Sequence, residues 1–244
     1  NKNQPLSPVA SEIYNPDEYA KSLEYGTAKY KVELFTAVVS TVVMLSAIIL
    51  GWFAWLDRQI RDRFDNQLLI TVIFIGVLIV VSMIGSLPVG YYSTFVIEEK
   101  FGFNKSTKKT YFSDKIKGYI ISIVIGGLLL GTLLWLIHQM GKDFWWQFWL
   151  VSGIFMVVVN MFYTAWFLPL FNKLTPLEEG ELKNSIVRYA RSVDFPLDNI
   201  LVMDGSKRSA KANAFFSGFG QRKKVVLFDT LIDQHTPDEL VAVL

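Results

Sequence analysis

The sequence predicts a mainly α fold, with polytopic membrane helices followed by a partial α+β domain. Three observations carry that prediction. The chain is 52% hydrophobic with a mean hydropathy of +0.34, too apolar for an ordinary water-soluble domain. Four runs lack any Asp, Glu, Lys or Arg: Leu34 to Leu56, Asn66 to Ile97, Gly118 to Gly141 and Phe144 to Asn172, of 23, 32, 24 and 29 residues. A spanning helix needs about 20 mostly apolar residues, and each run supplies them. From Asn172 onward the composition is that of a water-soluble domain.

The elements follow in order. Residues 1–31 form a polar N-terminal segment with Pro5, Pro8 and Pro16, then a short helix over 17–31. The first residue is Asn, so the N-terminus is expected to be processed. A membrane domain over 32–171 has spans near 32–56, 68–92, 116–139 and 144–171. Pro88 and Gly90 predict a kink or an early end of the second span. Gly127 and Gly131 form a GxxxG that permits close helix contact. Asn160 lies deep in the fourth span, where a polar group faces a bundle interior or a wet cavity. Six of the tryptophans, at 52, 55, 135, 145, 146 and 149, fall near span ends and read as an interfacial belt. Lysines gather in the N-terminal flank and in the 93–116 loop. The bias places these segments, and the C-terminal region, on the cytoplasmic side.

The third domain covers 172–244. Thr175-Pro176-Leu177-Glu178 and Thr236-Pro237-Asp238-Glu239 both read as helix N-termini with a capping box. Leu182, Ile186, Tyr189, Ala190 and Val193 make a helical stripe. Strands are predicted at 199–203, 212–219 and 224–228, with VVLF buried on both faces. A helix, three strands and a helix imply α+β, the last helix packing on a small sheet.

Several function classes fall away on composition. The net charge is only +2, and no basic stripe is interleaved with aromatics, so nucleic acid is not a partner. There is no cysteine, which removes disulfides, thiolate metal ligands and a cysteine nucleophile. The two histidines, His138 and His235, cannot make a three-histidine metal site in one copy. Glu98 and Glu99 are adjacent and so do not face each other on a helix; they read as loop charges. SGFGQ lacks the ending of a phosphate loop. By residues alone, the chain is a polytopic membrane protein without a complete catalytic constellation.

Four stretches carry a resemblance: IEEKFGFNKST (97–107), LPLFNKLTPLEEGELK (168–183), DGSKRSAKANAFFSGFG (204–220) and KKVVLFDTLI (223–232). They resemble the type I CAAX prenyl endopeptidases, integral-membrane zinc metalloproteases of the gluzincin kind, in order and across nearly the whole chain. The resemblance implies a zincin-like domain and a ring of spanning helices around a water-filled chamber. It implies that the helix opening at TPDELVAVL runs into an HExxH zinc helix beyond Leu244. On this expectation the cofactor is zinc, and no catalytic residue or metal ligand falls within 1–244. His235 lies before the N-cap and is not a ligand. Asn213, Ala214, Phe215 and Phe216 correspond to the sheet edge lining the cleft, to which an extended peptide adds as a strand. Lys207 and Arg208 sit in the preceding turn without an evident role. The partners so implied are membrane lipid and a peptide or lipidated protein C-terminus. Zinc-bound water would cleave near that C-terminus. By itself the chain is expected to be inactive. The alternatives are a non-catalytic membrane scaffold and, for Pro88, Asn160 and GxxxG, a transporter. A transporter would show internal repeats, and none is present.

Overall fold

The computed structural model describes residues 15–218, 220 and 222–243. Pro5 and Pro8, from the predicted polar segment, lie outside them. The chain divides into two compact units, Asn1–Asn104 and Lys105–Leu244.

In the first unit, α1 spans Pro16–Ile49, α2 Trp52–Arg61 and α3 Gln67–Tyr92. Asn15 caps α1 by accepting the Asp17 amide at 3.0 Å, with Pro16 at the first helical position. Asn66 caps α3 in the same way, through the Leu69 amide at 3.1 Å. The predicted short helix over 17–31 and the span from 32 are one continuous helix. Nothing between them stops the backbone pattern, because polar residues change the solvent a helix prefers, not its hydrogen bonding. The predicted end of that span at 56 is also corrected. Gly51 adopts φ +68, the left-handed conformation glycine reaches without a Cβ penalty, and the helix closes there. Past Pro88 the helix runs on instead of ending, and changes at Ser93–Glu98 to π-helical turns.

A clasp joins the start of α1 to the end of the π segment. The Tyr25 hydroxyl donates to Glu98. Its ring meets Phe101 and Phe103 edge-on, at 5.2 and 5.1 Å between centroids. Lys100 pairs with Glu24 at 2.6 Å. Glu99 instead accepts from Asn104 at 2.7 Å. The two carboxylates expected to be loop charges thus hold separate structural bonds.

The second unit begins with α4 (Lys108–Met140), capped by Thr107, and α5 (Phe144–Phe162). Gly141, at φ +58, opens the three-residue turn between them. A π turn at Tyr163–Phe167 and a 3₁₀ turn at Leu168–Leu170 follow. Three helical stretches are long and apolar enough to cross a membrane: Pro16–Ile49, Gln67–Glu98 and Lys108–Leu170. The last is interrupted at Gly141, so it holds two of the four predicted spans.

The sheet contains β1 (Leu174–Pro176), β2 (Leu197–Met203), β3 (Ala214–Ser217) and β4 (Lys223–Phe228), in the order β1-β2-β4-β3. β2 and β4 are parallel, and the outer pairs are antiparallel. Thr175-Pro176 was expected to open a helix. It forms a strand, Thr175 pairing with Val202. The helix α6 starts later, at Glu181, behind Gly180 and without a side-chain cap. Parallel pairing inside the sheet explains the two-faced burial of β4. Val225 and Leu227 point to one cluster with Ile186, Ile200, Leu231 and Leu240, while Val226 points to another with Leu168 and Met203.

Two short helices, α7 (Asp229–Gln234) and α8 (Pro237–Val243), end the described chain. The capping box at α8 forms as read. The Thr236 amide donates to Glu239 Oε2 at 2.8 Å, and the Glu239 amide faces Thr236 Oγ1 at 3.4 Å. The amide and hydroxyl of Thr236 hold the Glu239 carboxyl below its usual range, with a smaller contribution from His235. A depressed folded pKa gives stability that is full above the unfolded value, about 4.3, and lost as pH falls through the folded one. The first turn of α8 is therefore expected to fray in mild acid, read as faster amide exchange at Leu240 and Val241. Glu239→Gln should flatten that pH dependence.

Candidate functional site

β3 is one of the two outer strands of the described sheet, the other being β1, and it pairs with β4. Its hydrogen bonding follows from one contact and the pleat. The Phe228 amide donates to the Asn213 carbonyl at 3.0 Å, so Asn213 and Phe228 form a hydrogen-bonded pair. Antiparallel pairs alternate, so Phe215 and Ser217 also turn their backbone groups toward β4. Ala214 and Phe216 turn theirs outward, away from the sheet. The Ala214 amide is held by the side chain of Asn213, Oδ1 accepting at 2.9 Å.

The four residues singled out in sequence thus divide into distinct tasks. Asn213 stands just before β3 and guards its first outward donor. Ala214 packs its methyl into the cluster that holds Ile186 and Leu240, so the edge and the start of α8 share one core. Phe215 packs against the opposite cluster, with Met203 and Val226; its ring belongs to the interior. Phe216 is 52% exposed and stacks obliquely on Phe195, 5.2 Å between centroids.

Two features that position this edge had no sequence signal. Arg208, in the turn before β3, donates from Nε and Nη2 to the two Asp114 carboxylate oxygens at 2.7 and 3.0 Å. Nη2 also donates to the Phe171 carbonyl. The Arg208 carbonyl accepts from the Lys105 amide at 3.0 Å and the Ser106 hydroxyl at 3.3 Å. One residue therefore gathers the start of α4, the end of the last apolar stretch and the approach to the edge. The second feature is Asp229, which accepts from the Ser206 amide at 2.8 Å, from the Ser206 hydroxyl and from the Thr230 amide. Burial pushes its carboxyl up, but these donors and the Gly205 amide outweigh it and hold the group low.

No group of three His, Cys, Asp or Glu that could hold a metal occurs among the described residues. His235 Nδ1 lies 3.8 Å from Glu239 Oε2, the oxygen that accepts from the Thr236 amide in the capping box. The donor set for a zinc ion is not assembled by these residues.

Comparison with known proteins finds two family models that match the chain in succession. A family model described as the CAAX prenyl protease N-terminal part, with five membrane helices, matches residues 1–173. The model of peptidase family M48 matches 176–244. CAAX prenyl protease 1 of Saccharomyces cerevisiae is 37% identical, over 98% of this chain and 55% of its own length. The Arabidopsis thaliana homolog is 35% identical over 95% and 57%, and the human homolog 32% over 95% and 50%. The chain thus spans about half the length of these relatives. The crystal structure of S. mikatae Ste24p superposes with a TM-score of 0.91 at 36% identity, covering 99% of this chain and 58% of that one. The chain is that of an integral membrane protein and belongs to the CAAX prenyl protease family of M48 metallopeptidases.

Proposed function

We propose that the chain is the membrane and substrate-edge portion of a zinc metalloendopeptidase that cleaves near the C-terminus of prenylated or other membrane-associated peptides. The observation that carries this reading is the outward-facing backbone of β3 over a core shared with α8. An extended peptide adds to such an edge by main-chain hydrogen bonds, offered here at Ala214 and Phe216, while side chains of the peptide alternate above and below. Asn213 would release the Ala214 amide and turn its carboxamide to the incoming backbone. The zinc ligands belong, in this reading, to residues that follow Leu244, and bound zinc would supply an activated water. The work of the residues present is to bind and align the peptide. The catalytic portion is assigned to the cytoplasmic side, from the lysine bias around 93–116.

The test uses the full-length protein in membranes, with a prenylated C-terminal peptide and its unprenylated twin. Cleavage should vanish with a chelator and return with zinc. Asn213→Ala should lower kcat/KM about tenfold, the effect of roughly 1.4 kcal/mol from one lost hydrogen bond. Cleavage indifferent to chelator would overturn the metal assignment. Absence of cleavage for both peptides would favour a non-catalytic scaffold.

A further inference from the structure

We propose that α2 is a membrane-surface helix, lying in the headgroup and glycerol layer with Trp52 and Trp55 immersed in lipid. Five observations lead there. The uncharged part of α1 runs from Leu34 to Ile49; at 1.5 Å per residue it covers about 24 Å, against a hydrocarbon core of about 30 Å. The chain therefore reaches Gly51 while still at the margin of the apolar layer. At Gly51 the left-handed backbone ends α1, the Leu50 and Gly51 amides folding back to Ser46 and Ile48 at 2.9 and 3.1 Å. The Trp55 amide then donates to the Gly51 carbonyl at 2.9 Å and opens a new helix. α2 has ten residues, about 15 Å, and is too short to cross. Arg61 ties its end to the next span, donating to Asp57 at 2.7 Å and to Gln67 at 2.9 Å.

The two faces of α2 differ. Ile60 is 6% exposed, with Phe53 and Leu56 half-buried on the same side. Trp52 and Trp55 are 57% and 61% exposed, and they follow in sequence the exposed Ile49 and Leu50 that end α1. Exposed apolar residues that begin just past the end of a spanning helix are placed at the depth where that helix ends, and lipid is what they meet there. Tryptophan is suited to this depth, because its ring is apolar and its N–H needs a polar partner. Arg58, Arg61 and Arg63 are offset by Asp57, Asp62 and Asp65. The seat therefore does not depend on anionic lipid, and phosphatidylcholine suffices.

The test is tryptophan quenching by brominated phosphatidylcholine in nanodiscs holding the full-length protein. Bromine is placed either near the glycerol end or near the methyl end of the acyl chains. The emission of α2 is the part lost in Trp52→Phe/Trp55→Phe, with the two single variants giving the same subtraction ring by ring. That part should be quenched about twofold or more better by the shallow bromine, and equally with or without added anionic lipid. No quenching from either depth would mean that protein, not lipid, covers the face. Stronger quenching from the deep bromine would mean that α2 continues the span. Either result overturns the proposal.

Discussion

Arg208→Met should lower the stability of the protein by about 2–3 kcal/mol. Removing one member of a buried ion pair costs roughly 3–5 kcal/mol, because the other charge stays behind without compensation. Here the side chains of Arg208 and Asp114 keep 22% and 24% exposure, which moves the expectation to the lower bound of that range and just below it. The loss extends beyond Asp114, since the Phe171 carbonyl also forfeits its donor. Arg208→Lys should recover only part, since a lysine ammonium is a point charge and cannot fork between both carboxylate oxygens and the carbonyl. The double change Arg208→Met/Asp114→Leu should be more stable than Arg208→Met alone, because no lone carboxylate remains. Denaturant or thermal midpoints of the solubilised protein measure all three. A loss below about 0.5 kcal/mol for the first variant would mean that the pair behaves as a surface contact.

Gly218→Ala should be comparably severe, for a reason in the backbone. Gly218 sits at φ +97, directly after β3, and a Cβ there would lie 2.0 Å from the Arg222 carbonyl oxygen. A side-chain tip can move aside, but a carbonyl at the start of the next strand cannot without shifting β4. Left-handed strain alone costs an alanine about 1–2 kcal/mol, and the collision raises the total to about 2–4 kcal/mol. Gly220→Ala is the matched control. It shares the sign of the backbone angle, φ +60, but its Cβ would meet nothing within 4 Å, so only the smaller cost applies. Equal melting shifts for the two variants would show that the collision at Gly218 is relieved elsewhere.

The apolar helices were legible because their signal is local and long. Charge-free runs mark them, but their starts are set by caps that hydropathy does not show: Thr107 begins α4 at Lys108, ahead of the predicted span at 116. The break at Gly51 was hidden because Leu34 to Leu56 reads as one apolar stretch; hydropathy reports the solvent a segment prefers and is blind to a single left-handed residue. Thr175 and Thr236 precede the same residue pattern, yet only Thr236 caps a helix. Around Thr175 the backbone finds partners in β2 instead, a tertiary choice that no window of local sequence contains. The candidate edge was legible only through resemblance. That β3 lies outside β4 depends on a parallel pairing between β2 and β4, across intervening chain. Arg208 and Asp114 are 94 positions apart, so charge patterning along a helix could not join them.

An outer strand with free amides and carbonyls is also a hazard, because a second copy can pair with it and start a polymer. β3 limits that by being four residues long. Its two outward residues offer one short grip, the Asn213 side chain occupies one donor, and Gly218 bends the chain away before a third outward residue could appear. Growth into stacked sheets needs a longer, flatter run than this. Lengthening β3 would therefore trade away solubility before it gained any hold on a peptide.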